Sequence, residues 1–209
     1  MIDLGLYVII DPYNIGQNNL YDLVKNIIEG GADTIQLRNK LDNDNEVAKE
    51  GRLLKELCSK YQKIFILNDR VEVAKVIHPD GIHVGRDDMP VNKCREIFGE
   101  NFIIGNSNAT IEDANISSQL KLDYVAIGSL FETISKKDTI PSSMNVIKRL
   151  KDNGFDKPIV GIGGINKERA KEVLENGADS ICVSSAITLS NNPKKETSEL
   201  KELINKYAK

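Results

Sequence analysis

The chain has 209 residues, with 40% hydrophobic and 28% charged positions, which fits one globular domain and excludes a disordered or collagen-like chain. Its formal net charge is −3 and no long single-sign block occurs, so nothing in it points to a nucleic-acid-binding surface. No stretch reaches the roughly 18 continuous apolar residues of a membrane span.

The start, Met1 to Gly5, has no charged leader and runs straight into a strand pattern, so no signal peptide and a cytoplasmic location are expected. Cys58, Cys94 and Cys182 stand far apart with no Cys-x-x-Cys pair, as expected of reduced, buried packing residues.

Short β-branched runs alternate with amphipathic stretches along the whole chain. The predicted strands are Leu6–Ile10, Thr34–Arg38, Ile64–Asn68, Gly81–Gly85, Phe102–Asn106, Tyr124–Gly128, Ile159–Gly163 and Ser180–Ser184. Helical patterns follow them, among them Leu20–Glu29, Glu46–Lys60, Arg169–Glu175 and Glu196–Tyr207. The mixed charges of Lys194–Lys209 read as a solvated helix face. Strand–helix alternation implies parallel strands with helical crossovers, and eight units imply closure into a barrel. The expected fold is therefore α/β, a (β/α)8 TIM barrel, as one compact domain over residues 1–209. It is a short one, since such barrels usually take about 250 residues.

An internal echo supports this reading. The even-numbered strands each begin at an aspartate: Asp33, Asp80, Asp123 and Asp179. Gly31 and Gly177, in the two Gly-Ala-Asp copies, suit helix C-termini. The second and fourth positions after each aspartate are Ile35/Leu37, Ile82/Val84, Val125/Ile127 and Ile181/Val183, all large and apolar. The third and fifth are Gln36/Arg38, His83/Gly85, Ala126/Gly128 and Cys182/Ser184, all polar or small. Side chains alternate across a strand, so the apolar set should face the helices and the other set the barrel interior.

Barrel chemistry sits at the C-terminal strand ends. Gln36, Arg38 and Lys40 share one parity, and two cations with an amide suit a phosphate or pyrophosphate. Asp69, and Asp87 or Asp88, end neighbouring strands, where carboxylates suit Mg²⁺ shared with substrate phosphates. Helix N-capping explains the same aspartates equally well. Asn106, Ser107 and Asn108 either hold a ligand ring or cap the next helix. Thr133, Ser135 and Lys136 have the composition of a phosphate clamp. Gly161–Ile165, with Ser184 and Ser185, match the backbone phosphate site common after strands seven and eight. His83 is expected in the barrel interior and His78 at the surface.

Taken together, these motifs resemble the thiamine phosphate synthase family over nearly the whole chain. The family's Gln-x-Arg-x-Lys matches Gln36, Arg38 and Lys40. Its Asn-Asp pair matches Asn68 and Asp69. Its Gly-x-His-x-Gly-x-x-Asp matches Gly81, His83, Gly85 and Asp88. Its Gly-x-Ser matches Gly105 and Ser107, its Thr-x-Thr-Lys appears as Thr133, Ser135 and Lys136, and its Gly-Ile-Gly-Gly-Ile stands unchanged at Gly161–Ile165. The resemblance implies a Mg²⁺-dependent transferase joining a hydroxymethylpyrimidine diphosphate to a thiazole phosphate with release of pyrophosphate. It implies Mg²⁺ on Asp69 and Asp88. It places the pyrimidine diphosphate on Gln36, Arg38, Lys40, Asn68, Ser107 and Lys136, with Arg38, Ser107 and Lys136 as candidate catalytic groups. It places the thiazole phosphate on Thr133, Ser135, Gly164, Ser184 and Ser185. The implied partners are small molecules, and a homo-oligomer is compatible.

The chain departs from the family pattern at Arg86, where Gln is usual, at Ala109, where His is usual, and at Asn106 and Ser135. Two rival readings are a thiazole tautomerase-like isomerase of the same fold and a non-catalytic barrel that binds thiamine precursors. The presence of Gln36, Lys40, Asp69 and Asp88 together argues against the isomerase.

Overall fold

A computed structural model describes residues 2–133 and 140–208. Eight parallel strands close into a barrel in chain order. They are β1 (Leu6–Ile10), β2 (Thr34–Leu37), β3 (Ile64–Asn68), β4 (Gly81–Val84), β5 (Ile103–Asn108), β6 (Tyr124–Ile127), β7 (Ile159–Ile162) and β8 (Ser180–Val183). Pairing of Tyr7 in β1 with Cys182 in β8 closes the ring. The described helices are α1 (Leu20–Glu29), α2 (Asp44–Lys60), α3 (Val71–Ile77), α4 (Val91–Phe98), α5 (Ile111–Ser118), α6 (Met144–Asp152), α7 (Lys167–Glu175), α8 (Ser185–Thr188) and α9 (Pro193–Tyr207). None of them is long and apolar enough to cross a membrane.

Local signals set the helix starts. Asn19, Asn43, Asn166 and Asn192 each accept first-turn amides through their side chains. Thr110 and Asp113 form a reciprocal capping box on α5. The C-terminal helix α9 is not wholly solvated: Thr197, Leu200 and Ile204 are buried, and it packs on α1 and α7.

The core divides as the strand alternation requires. Ile35, Leu37, Ile82, Val84, Val125, Ile127, Ile181 and Val183 all lie in the shell between sheet and helices. Tyr7, Ile66, Tyr124, Ala126, Val160 and Cys182 form a separate cluster inside the barrel. Each fully buried large side chain contributes about 1.5–3 kcal/mol, so this alternation fixes the register of every strand. Alternate strands fill alternate layers. Gln36, His83, Ala126 and Cys182, equivalent positions of the even strands, make one such layer, and the fifth positions, Arg38, Gly85, Gly128 and Ser184, follow toward the mouth. Large and small residues compensate within the barrel. A side chain at Gly105 would collide with the Tyr124 ring, and one at Gly81 would come within 2.8 Å of Ile66.

The four repeated aspartates stitch the barrel floor. Their Oδ2 atoms accept the amides of Leu6, Phe65, Ile104 and Ile159 at 2.7–2.9 Å. Their own amides donate to the carbonyls of those same residues. Each even strand is thereby fastened to the strand before it. Lys63 and Lys201 pair with Asp33, Arg95 with Asp123, and Lys151 with Asp179.

Arg95 is 6% exposed and donates to the carbonyls of Gly99, Glu100, Phe102 and Lys121 as well as to Asp123. Arg95→Met strands those acceptors and one carboxylate. We expect a loss of roughly 3 kcal/mol in urea unfolding with turnover per folded molecule unchanged. A large loss of turnover at preserved stability would contradict this purely structural role.

Candidate active site

Three strand ends meet at one side of the mouth. Lys40 follows β2 and pairs with Asp69 Oδ2 at 2.8 Å. Asp69 follows β3 in the left-handed region, φ 60°, and its amide donates to the His83 carbonyl of β4. That backbone turns the carboxylate toward β2 and β4. Asn68 donates to Asp69 Oδ2 at 2.6 Å. Asp88, in the loop after β4, accepts the Gly85 amide at 2.8 Å and lies within hydrogen-bonding reach of Asp69. Burial, and next the Asp88 carboxyl, push the Asp69 carboxyl above the usual range, against the opposing pull of Lys40.

The capping alternative fails for both aspartates. The N-caps of α3 and α4 are Arg70 and Pro90, and neither cap makes a side-chain hydrogen bond. Asp87 is exposed and Asp88 is the carboxylate beside Asp69. Among the described residues no group of three His, Cys, Asp or Glu side chains is close enough to hold a metal by itself.

Gln36, Arg38 and Lys40 share the inward parity but not one depth. Lys40 is exposed and Arg38 half-buried. Arg38 pairs with Asp11, at the end of β1, at 3.2 Å. Gln36 is 2% exposed and lies lower, donating from Nε2 to Tyr7 Oη at 2.5 Å. Its Oε1 is buried without a hydrogen-bond partner among the described residues. Such an orphan acceptor costs about 1–3 kcal/mol.

The cluster at the C-terminal end of β5 divides by parity. Ser107 faces the mouth and contacts His83 Nε2 at 2.8 Å. Asn106 and Asn108 face outward, where both side chains bond Ser117 of α5, so they hold the helix. Thr110 is the cap of α5, and Ser107 plays no capping part. Arg86 lies 3.8 Å from Asp113, and Ala109 is buried with its carbonyl accepting from Ser142 Oγ. His83 is buried inside the barrel and His78 is exposed at the end of α3.

The opposite side of the mouth is backbone-rich. Gly163 and Gly164 follow β7 with φ of 100° and 63°. A Cβ on Gly163 would come within 2.7 Å of Ser129 Cα, and one on Gly164 within 2.9 Å of Phe131 Cβ. The glycines therefore let the segment after β6 lie directly on the end of β7. The Phe131 amide donates to Gly163 O, and Arg169 of α7 donates to Gly164 O while lying over the Phe131 ring. Ser184 is the N-cap of α8, whose first residue is Ser185. First-turn amides of a helix face an anion well. Thr133 follows Glu132 in the loop after β6. Ser135 and Lys136 lie outside the described residues.

Two buried tyrosines belong to none of the sequence motifs. Tyr7 and Tyr124 sit inside the barrel beneath this mouth, linking Gln36 to His83. Carrying the strand alternation to the odd-numbered strands would have turned Tyr7 inward.

A closed parallel barrel whose cations, carboxylates and glycine turns gather at the C-terminal strand ends is the arrangement of a (β/α)8 enzyme. Residues 6–187 match the family described as thiamine monophosphate synthase. The thiamine-phosphate synthase of Methanosarcina mazei is 38% identical over 206 residues, covering 97% of this chain and 83% of that protein. That of Persephonella marina is 34% identical, covering 99% of this chain and 98% of its own. The structure of a thiamine phosphate pyrophosphorylase from Pyrococcus furiosus superposes with a TM-score of 0.89 at 34% identity, covering 98% of this chain and 97% of that one. The chain belongs to the thiamine monophosphate synthase family.

Proposed function

We propose that this chain is a cytoplasmic transferase that joins 4-amino-5-hydroxymethyl-2-methylpyrimidine diphosphate to thiazole phosphate, giving thiamine phosphate and pyrophosphate. The observation that carries the reading is the meeting of Lys40, Asp69 and Asp88 at three adjacent strand ends. Its substrates are two small phosphorylated molecules, and each has a side of the mouth suited to it.

The donor set fits a divalent cation. Two carboxyl groups lie within hydrogen-bonding reach, one of them resists ionisation, and both are oxygen donors of the kind Mg²⁺ takes along with water and phosphate. When bound by Asp69 and Asp88, Mg²⁺ would neutralise charge on the diphosphate.

The remaining work falls to the chain's own groups. Lys40 and Arg38, with Lys136 from the loop after β6, stabilise the departing pyrophosphate. The C–O bond breaks with its electron pair going to the leaving oxygen. The electron-rich pyrimidine supports the resulting cation, and the thiazole nitrogen supplies the pair for the new C–N bond. No strong general base is needed, so the site's task is charge neutralisation and alignment. Gln36, Asn68 and Ser107 position the pyrimidine diphosphate. Thr133, Ser135, Gly164, Ser184 and Ser185 hold the thiazole phosphate.

Incubating both substrates with and without Mg²⁺, and following pyrophosphate and thiamine phosphate together, tests this. Mg²⁺-dependent product is expected. Protein that binds both ligands and forms none defeats the reading.

A further inference from the structure

Five side chains form a continuous hydrogen-bonded chain through the barrel interior. Gln36 Nε2 meets Tyr7 Oη at 2.5 Å, and Tyr7 Oη meets Tyr124 Oη at 3.0 Å. Tyr124 Oη meets His83 Nδ1 at 3.0 Å, and His83 Nε2 meets Ser107 Oγ at 2.8 Å. It runs from β2 through β1, β6 and β4 to β5, and both ends are residues assigned above to the pyrimidine diphosphate. Tyr7, Tyr124, Gln36 and His83 are each no more than 7% exposed, so water does not substitute for these partners.

The direction of the chain follows from proton counting. An amide nitrogen only donates, so Tyr7 Oη accepts from Gln36. Tyr7 has one hydroxyl proton, and leaving it without an acceptor in a dry interior is costly. Among the described residues Tyr124 Oη is the hydrogen-bonding oxygen next to it, at 3.0 Å, so Tyr7 donates to it. Tyr124 has then used an acceptor site and gives its own proton to His83 Nδ1. A neutral imidazole accepting at Nδ1 carries its proton on Nε2, which donates to Ser107 Oγ. The Ser107 proton is left for the mouth. Burial holds both phenols in the protonated state the count requires.

We infer that Tyr7, Tyr124 and His83 are positioning residues forming a one-way relay that holds Ser107 as a hydrogen-bond donor toward the pyrimidine diphosphate. This rests on the proposed function for the ligand, but not for the direction of the chain. A donor at Ser107 suits a phosphate oxygen or a ring-nitrogen lone pair. The reversed chain would need the Gln36 amide turned over. It would spend the Ser107 proton on His83 and present only lone pairs to an anion.

Long-range ¹H–¹⁵N correlation on labelled protein reads the histidine tautomers, with exposed His78 as an internal reference. His83 is expected as the neutral Nε2–H form at neutral pH. An Nδ1–H form, or an imidazolium, overturns the relay. Tyr124→Phe keeps the ring that fills the space at Gly105. It should abolish the single tautomer and raise KM for the pyrimidine diphosphate about ten-fold, with less change in kcat. In a Ser107→Ala background the same change should have no further effect. Effects that multiply in the double variant, or an unaltered tautomer in Tyr124→Phe, also overturn it. The tautomer is read without turnover, so absence of thiamine phosphate formation would count against the proposed function alone.

Discussion

Asp69→Asn is expected to cut thiamine phosphate formation about a hundred- to a thousand-fold while leaving the barrel at least as stable. Asparagine is the informative replacement because it tolerates the left-handed backbone at this position, φ 60°. It keeps the shape and removes the charge. Burial and the neighbouring Asp88 hold the Asp69 carboxyl above its ordinary range, against Lys40. The folded state therefore favours the protonated group, and stability falls as pH rises through the window between the ordinary and the raised value. A neutral amide has no such cost. At neutral pH, without metal, the variant should melt no lower than the wild type. Wild-type protein should gain melting temperature on addition of Mg²⁺ and pyrophosphate, and the variant should lose most of that gain. Scanning calorimetry beside steady-state assay separates the outcomes. If melting temperature and turnover fall together, Asp69 is structural.

The barrel was readable because its periodicity is redundant. Four aligned aspartates and eight alternating apolar positions predict inside and outside, and the two clusters separate along that line. What the aspartates do was not readable. Their hydrogen bonds to Leu6, Phe65, Ile104 and Ile159 span 15 to 27 residues of sequence, and only strand register brings them together. The same limit applies at the mouth. Spacing left Asp69 and Asp88 open between metal ligation and helix capping, because both roles use the same residue type before the same helix. The caps actually used, Arg70 and Pro90, remove one of those options. Parity places Gln36 inward but not its depth, and Tyr7 and Tyr124 give no separate signal, because tyrosine in a strand reads as ordinary packing. Their role depends on partners contributed by five strands.

Gly164→Ala should damage the other side of the mouth selectively. Two separate costs meet there. The backbone is left-handed at φ 63°, which costs a residue with a Cβ about 1–2 kcal/mol. The added methyl would also press on Phe131 Cβ and on the Glu132 carbonyl, and overpacking of that kind costs about 1–3 kcal/mol. The expected loss in urea unfolding is about 2–5 kcal/mol if the segment after β6 stays seated. It is less if that segment lifts, and lifting would carry Thr133, the next residue after Glu132, with it. Either way, KM for the thiazole phosphate should rise far more than KM for the pyrimidine diphosphate. Gly154→Ala separates conformational cost from contact. Gly154 has φ 74° but nothing within 4 Å of an added Cβ. It should lose only about 1–2 kcal/mol and keep both KM values. Equal KM changes for both substrates in Gly164→Ala would mean that the two sides of the mouth are not separate anion sites. A Gly154→Ala variant with the same KM profile as Gly164→Ala would mean that global loosening, and not the contact with Phe131 and Glu132, sets the effect.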